Sequence, residues 1–129
     1  MKQSARIMIF DDNRETLMLY KSVLSREGYN VHTSENCSRL MEKIDEVHPD
    51  IVMMDNQMPG MSGEEAIEKM KADAHYESTP VIYCSGDTDL AALANKVHAD
   101  AFLPKPISIP ALLGMIGKVL KGRRNYNPM

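Results

Sequence analysis

The chain is short of several things, and each shortage removes a class of function. It has only two cysteines, Cys37 and Cys84, with no Cys-x-x-Cys and no Cys/His cluster, so neither a disulfide scaffold nor a zinc site is indicated. Cys84 lies inside an apolar run and reads as a buried thiol acting as a small hydrophobe. Two unpaired thiols fit a reducing, cytoplasmic setting. No apolar run approaches bilayer-spanning length and no secretory leader follows Met1, so no membrane partner is expected. There is no surplus of positive charge: 15 Lys and Arg against 18 Asp and Glu give a net charge of −3. A nucleic-acid binder ordinarily carries a basic face, so direct binding of nucleic acid is not expected. The four histidines, His32, His48, His75 and His98, are scattered and do not read as ligands. Repeats, low-complexity stretches and linkers are absent, and 129 residues with 43% hydrophobic content suit one domain with one core.

What is present is an alternation of two patterns. Short apolar runs at Ala5–Phe10, Ile51–Met54, Val81–Cys84 and Ala101–Leu103 are nearly continuous, as strands buried on both faces should be. Asn30–Thr33 is a weaker fifth run, with Val31 alone among polar residues, and suggests an edge strand. Between them lie five helical stretches. Arg14–Glu27 places Thr16, Leu19, Tyr20, Val23 and Leu24 on one face and is stopped by Gly28. That assignment leaves Leu17 and Met18 on the outer face, an exposed apolar pair suited to docking a partner. Ser38–Val47 stops before His48-Pro49. Ser62-Gly63-Glu64-Glu65 reads as a capping box opening a helix to about Ala72. Leu90–Val97 is the fourth stretch, and Ser108 caps the fifth with Pro110 in its first turn. Strands alternating with helices predict βαβ units, a parallel sheet and a doubly wound α/β sandwich of three layers. The domain is expected over residues 1–121, with a polar, frayed tail over 122–129.

Polar residues stand just past four of the apolar runs. Asp11 and Asp12 follow the first, Asp55 follows Ile51–Met54, Ser85 follows Val81–Cys84, and Lys105 follows Ala101–Leu103. In a parallel sheet all of them reach the carboxyl edge, where open α/β sheets bind ligands. Singly, each is an ordinary loop residue; jointly, they suit a divalent cation and a phosphoryl group. Crowded carboxylates need a cation to stay ionised, and Mg²⁺ is the natural hard, oxygen-liking ion. A carboxylate held there can attack phosphorus and form an acyl phosphate, with metal and lysine neutralising the equatorial oxygens.

At this point the chain resembles the receiver domain of two-component response regulators, from about Arg6 to Leu120. The strongest piece is Asp55-Asn56-Gln57-Met58-Pro59-Gly60-Met61-Ser62-Gly63, similar to the family's D-x-x-M-P-x-M-x-G stretch. The Asp11-Asp12 pair, Ser85-Gly86 and Phe102-Leu103-Pro104-Lys105-Pro106 complete the set in order. The resemblance implies a flavodoxin-like (βα)5 fold with strand order 2-1-3-4-5. It implies Asp55 as phosphoacceptor, with Asp12 binding Mg²⁺ directly, Asp11 through water, and the main-chain carbonyl of Asn56 as a further ligand. Lys105 would pair with the phosphoryl group, across a Lys105–Pro106 bond often cis in the family. Ser85 would be the switch hydroxyl and Phe102 the switch aromatic. It further implies a phosphorylation-driven switch or relay rather than an enzyme acting on other molecules. Its partners would be a sensor histidine kinase or phosphotransfer protein and a downstream protein target, and it would be a monomer or weak homodimer without an output domain. The enzymatic rival is an aspartyl-phosphate phosphohydrolase, a class that carries its nucleophile in a D-x-D pattern after strand one, where this chain has Asp11-Asp12-Asn13; the binding-module rival is a phosphate-independent receiver or a flavodoxin-like cofactor binder. Departures from the family pattern are Asn56 at a commonly apolar position and His98 in place of a common glycine.

Overall fold

The computed structural model describes residues 4–86 and 98–126, with side chains described as far as 122. The helical stretch expected over Leu90–Val97 lies outside the described residues. In chain order the elements are β1 (Arg6–Phe10), α1 (Arg14–Arg26), β2 (Asn30–Ser34), α2 (Leu40–Val47), β3 (Ile51–Asp55), β4 (Gln57–Met58), β5 (Met61–Ser62), α3 (Gly63–Lys71), β6 (Val81–Ser85), β7 (Ala101–Pro104) and α4 (Ile109–Tyr126). Five strands form one parallel sheet in the order β2-β1-β3-β6-β7. Counting only strands of that sheet, this is the predicted order 2-1-3-4-5. The weak Asn30–Ser34 strand is indeed at an edge. The two-residue strands β4 and β5 form a separate antiparallel hairpin turned by Gly60 at φ +78°, which the apolar pattern did not announce.

The alternation of side chains along each strand builds the three layers. Ile7, Ile9, Ile51, Met53, Ile82, Cys84 and Leu103 pack with α1 and α4 through Leu17, Tyr20, Leu24, Leu112 and Ile116. Met8, Phe10, Val52, Met54, Val81 and Tyr83 pack on the other face with α2 and α3 through Leu40, Ile44, Ala66, Ile67 and Met70. Both faces are covered, which explains why the central runs are apolar at every position.

The helix ends follow local chemistry. Asn13 caps α1 by accepting the Thr16 N–H at 2.9 Å, and Gly28 at φ +93° closes the helix. Ser62 caps α3 through the Glu65 N–H at 3.1 Å, and Ser108 caps α4 through the Ala111 N–H at 3.2 Å, both as predicted. Helix α2 begins later than Ser38. That hydroxyl binds Asn36 Oδ1 at 2.6 Å instead, and Arg39 takes a left-handed conformation before the helix starts. Helix α4 continues past Gly122 to Tyr126, into the segment expected to be a frayed tail.

One expectation is corrected. Leu17 is not on the outer face of α1: it is 4% exposed, whereas Leu19 is 51% and Met18 65% exposed. The files Thr16–Leu19–Val23 and Leu17–Tyr20–Leu24 differ by about one residue of helix rotation, and both satisfy the 3.6 period. The structure buries the file whose first member is leucine rather than threonine, because that removes more apolar surface from water. The exposed pair is therefore Met18 and Leu19. Urea denaturation should separate the two assignments: Leu17→Ala is expected to cost about 2–5 kcal/mol, and Leu19→Ala within roughly 0.5 kcal/mol of nothing.

Candidate functional site

The site is assembled by the same two-residue repeat that builds the core. Ile9, Met53 and Leu103 face the α1/α4 layer, and two positions further on stand Asp11, Asp55 and Lys105. Strands β1, β3 and β7 thus deliver their next same-face residue to one place at the sheet's carboxyl edge. The Lys105 ammonium joins them, 2.7 Å from Asp55 Oδ1 and 3.0 Å from Asp11 Oδ2. Asp11 is fixed further: its Oδ1 accepts the Asn13 N–H at 2.9 Å and its own N–H donates to the Ser34 carbonyl at 3.2 Å. Asp11 and Asp55 are 3% and 4% exposed, whereas Asp12 is exposed.

The end of β3 is held tightly. The Asn56 N–H donates to the Cys84 carbonyl at 2.9 Å, and the Asn56 carbonyl accepts the Gly63 N–H at 3.0 Å. A carbonyl oxygen has a second lone pair, so Asn56 can still offer it to a ligand. Gly63 is required by contact: a Cβ there would lie 2.1 Å from the Asp55 carbonyl oxygen and 2.9 Å from Asn56 Cα. The β4–β5 hairpin folds α3 back onto the strand end only because that residue has no side chain. The glycine was visible in the motif, but its reason, close approach of backbone, was not.

Electrostatics make Asp55 a stressed carboxylate. Burial pushes its pKa above the ordinary value, the Lys105 ammonium pulls it back, and the Asp11 and Asp12 carboxylates push it up again. Burial works against the charge on Lys105 too, but its contacts with Asp55 and Asp11 outweigh this and hold its pKa above that of an ordinary lysine. In linkage terms, the folded chain holds the Asp55 proton more tightly than the unfolded chain. Its contribution to stability is present at low pH and lost as pH rises through the raised pKa. Cys84, fully buried beside the site, is pushed up to about 12 by burial and is inert as a thiolate.

The donor set fits a hard cation. Asp11, Asp12 and Asp55 each offer an oxygen within 4.8 Å of the others. Asp55 Oδ1 is buried and, besides the Lys105 ammonium at 2.7 Å, has no polar partner among the described residues. One ammonium does not balance three carboxylates, and all the donors are oxygen, as Mg²⁺ or Ca²⁺ requires. Ser85 ends β6, is fully buried, and its carbonyl accepts the Lys105 N–H at 2.8 Å. The Lys105–Pro106 peptide is cis, as the resemblance implies. Phe102, in β7, is 41% exposed and stands across from Tyr83. His98 has φ +61°, so the position that often holds glycine does use the left-handed conformation.

A doubly wound parallel sheet that gathers an acidic pocket and a lysine at its carboxyl edge is the architecture of a phosphoryl-accepting receiver. The chain belongs to the response regulator receiver domain family, whose pattern matches residues 7–117. Protein PilG of Pseudomonas aeruginosa is 31% identical over 113 residues, spanning 86% of this chain and 84% of that protein. Polar-differentiation response regulator DivK of Brucella ovis is 28% identical over 119 residues, spanning 88% and 94%. Among solved structures, a CheY-like receiver domain protein from Methanospirillum hungatei superposes with a TM-score of 0.88 at 26% identity, covering 97% of this chain and all of that one. The match takes in most of the 129 residues, from β1 into α4.

Cation binding should be measurable as stability. A divalent cation at about 100 times its dissociation constant is expected to add about 2.7 kcal/mol. Asp12→Ala, at an exposed position, should remove most of that gain without weakening the cation-free protein. Thermal denaturation with and without cation reads both, and an unmoved wild-type Tm would count against the site.

Proposed function

We propose that Asp55 accepts a phosphoryl group from a phosphohistidine on a histidine kinase or phosphotransfer protein. An Asp55 carboxylate oxygen attacks phosphorus in line, the O–P bond forms, the N–P bond breaks, and the electron pair returns to the imidazole of the donor. No proton relay is needed because the nucleophile is already ionised. The observation that carries this reading is the ammonium of Lys105 lying between Asp55 and Asp11. Having one cation against both carboxylates keeps Asp55 charged and leaves a cation in place to meet the incoming phosphoryl oxygens.

Asp12, with its exposed carboxylate, and Asp55 would hold Mg²⁺ together with the Asn56 carbonyl. Both oxygens of Asp11 are already engaged, which supports its acting through water. When bound, Mg²⁺ supplies neutralisation of the phosphoryl charge. Lys105 then exchanges its Asp55 contact for a phosphoryl oxygen. Ser85 hydrogen-bonds the acyl phosphate, and Phe102 turns inward from its exposed position, so a local charge event biases two packings of one segment. Met18 and Leu19, exposed on α1, are the apolar pair on which a donor would rest. The output is a changed surface for a protein target or the next relay step.

Intact mass spectrometry after incubation with acetyl phosphate and Mg²⁺ tests the assignment. The wild type should gain the mass of one phosphoryl group, lose it on chelation of Mg²⁺ before the donor is added, and show none in Asp55→Asn. An adduct that persists in Asp55→Asn would place the acceptor elsewhere.

A further inference from the structure

We propose that Lys43 is a positioning residue for the acidic pocket: it holds the loop between β2 and α2 in the shape that seats Asp11 and, through it, Asp12. The proposal rests on the reading of these carboxylates as a cation site. Lys43 lies in α2 and is half-buried. Its ammonium reaches Ser34 Oγ at 2.8 Å, Asn36 Oδ1 at 2.9 Å and the Asn36 carbonyl at 3.2 Å. An ammonium has three protons to donate, and all are directed at one loop. Among the described residues it meets no carboxylate. A cation half removed from water and paired only with neutral oxygens is unusual on a helix that also carries Glu42, Asp45 and Glu46.

The loop it grips touches the acidic loop twice. The Ser34 carbonyl accepts the Asp11 N–H, and Glu35 pairs with Arg14, the first residue of α1, at 3.1 Å. Asp11 and Arg14 bracket Asp12. From the other side, Cys37 anchors the loop in the α2/α3 core, and Ser34 Oγ donates to the Asn36 carbonyl at 2.8 Å. Lys43 therefore closes a chain of contacts, Lys43–Ser34–Asp11, from α2 to the main chain of Asp11, whose carboxylate meets Lys105. Outer partners of this kind orient metal ligands. Geometry and charge predict opposite signs here. A positive charge near an acidic pocket weakens cation binding through space, so removing it should tighten binding if charge is all that matters. If Lys43 acts by position, removing it should loosen binding.

The experiment compares Lys43→Met and Ser34→Ala with wild type as full-length chains. Ser34→Ala leaves every charge in place and stands in should Lys43→Met fold poorly. Hydrogen exchange of the Asp11 amide is read by NMR in cation-free protein, and Mg²⁺ affinity by titration. The proposal expects faster Asp11 exchange in both variants and Mg²⁺ binding about tenfold weaker in Lys43→Met, with a smaller loss in Ser34→Ala. Tighter Mg²⁺ binding in Lys43→Met would overturn it in favour of charge alone. A lower Tm with unchanged Asp11 exchange and unchanged affinity would overturn it in favour of a purely structural lysine. The two readings fail separately: absence of Mg²⁺ binding in the wild type would remove the cation site, while the exchange arm would still report whether Lys43 seats Asp11.

Discussion

The contact on which the site depends is the single ammonium of Lys105 set between two buried carboxylates, Asp55 and Asp11. Three acidic groups crowd the sheet edge, and two of them have lost most of their water. Without a positive charge at that point Asp55 would hold a proton more tightly, and a protonated carboxyl is a poor nucleophile. The fold places the charge by regularity rather than by special machinery. The same two-residue repeat that turns Ile9, Met53 and Leu103 into the α1/α4 core carries Asp11, Asp55 and Lys105 into one place. Core packing and site geometry are one construction, so a slip in strand register would dismantle both.

Much of this was legible in the amino-acid order. Continuous apolar runs meant strands covered on both faces, and the polar residues just past them had to gather at one edge. The caps at Ser62 and Ser108 could be read because their oxygens satisfy helix N–H groups by purely local chemistry. What could not be read depends on tertiary contact. The rotation of α1 was ambiguous because the apolar files Thr16–Leu19–Val23 and Leu17–Tyr20–Leu24 lie side by side, and only the depth of Leu17 against the sheet decides between them. The Gly60 hairpin is too short to show a period. The need for glycine at 63 comes from the Asp55 carbonyl, eight residues away in sequence. Lys43 gave no signal either, since a lysine on a charged helix reads as solvated.

These features share one direction of support. The β2–α2 loop steadies Asp11 from outside, Lys105 balances it from inside, and the Gly63 turn fixes the end of β3 beside it. Ser85 sits on β6, next to β3, and Phe102 on β7, one strand further out. On the proposed reading a rigid pocket and a movable reporter would coexist: Asp55 is held by backbone, and Phe102, which would report on it, stands half in solvent.

The most direct test of the central claim is the titration of Asp55 itself, followed by ¹³C NMR of its carboxyl carbon in cation-free protein. The account predicts a pKa above the usual aspartate value in the wild type and a further rise in Lys105→Met, because the lysine is the only force described at the site that lowers it. An Asp55 that titrates at the same pH, or lower, once the lysine is gone would contradict it.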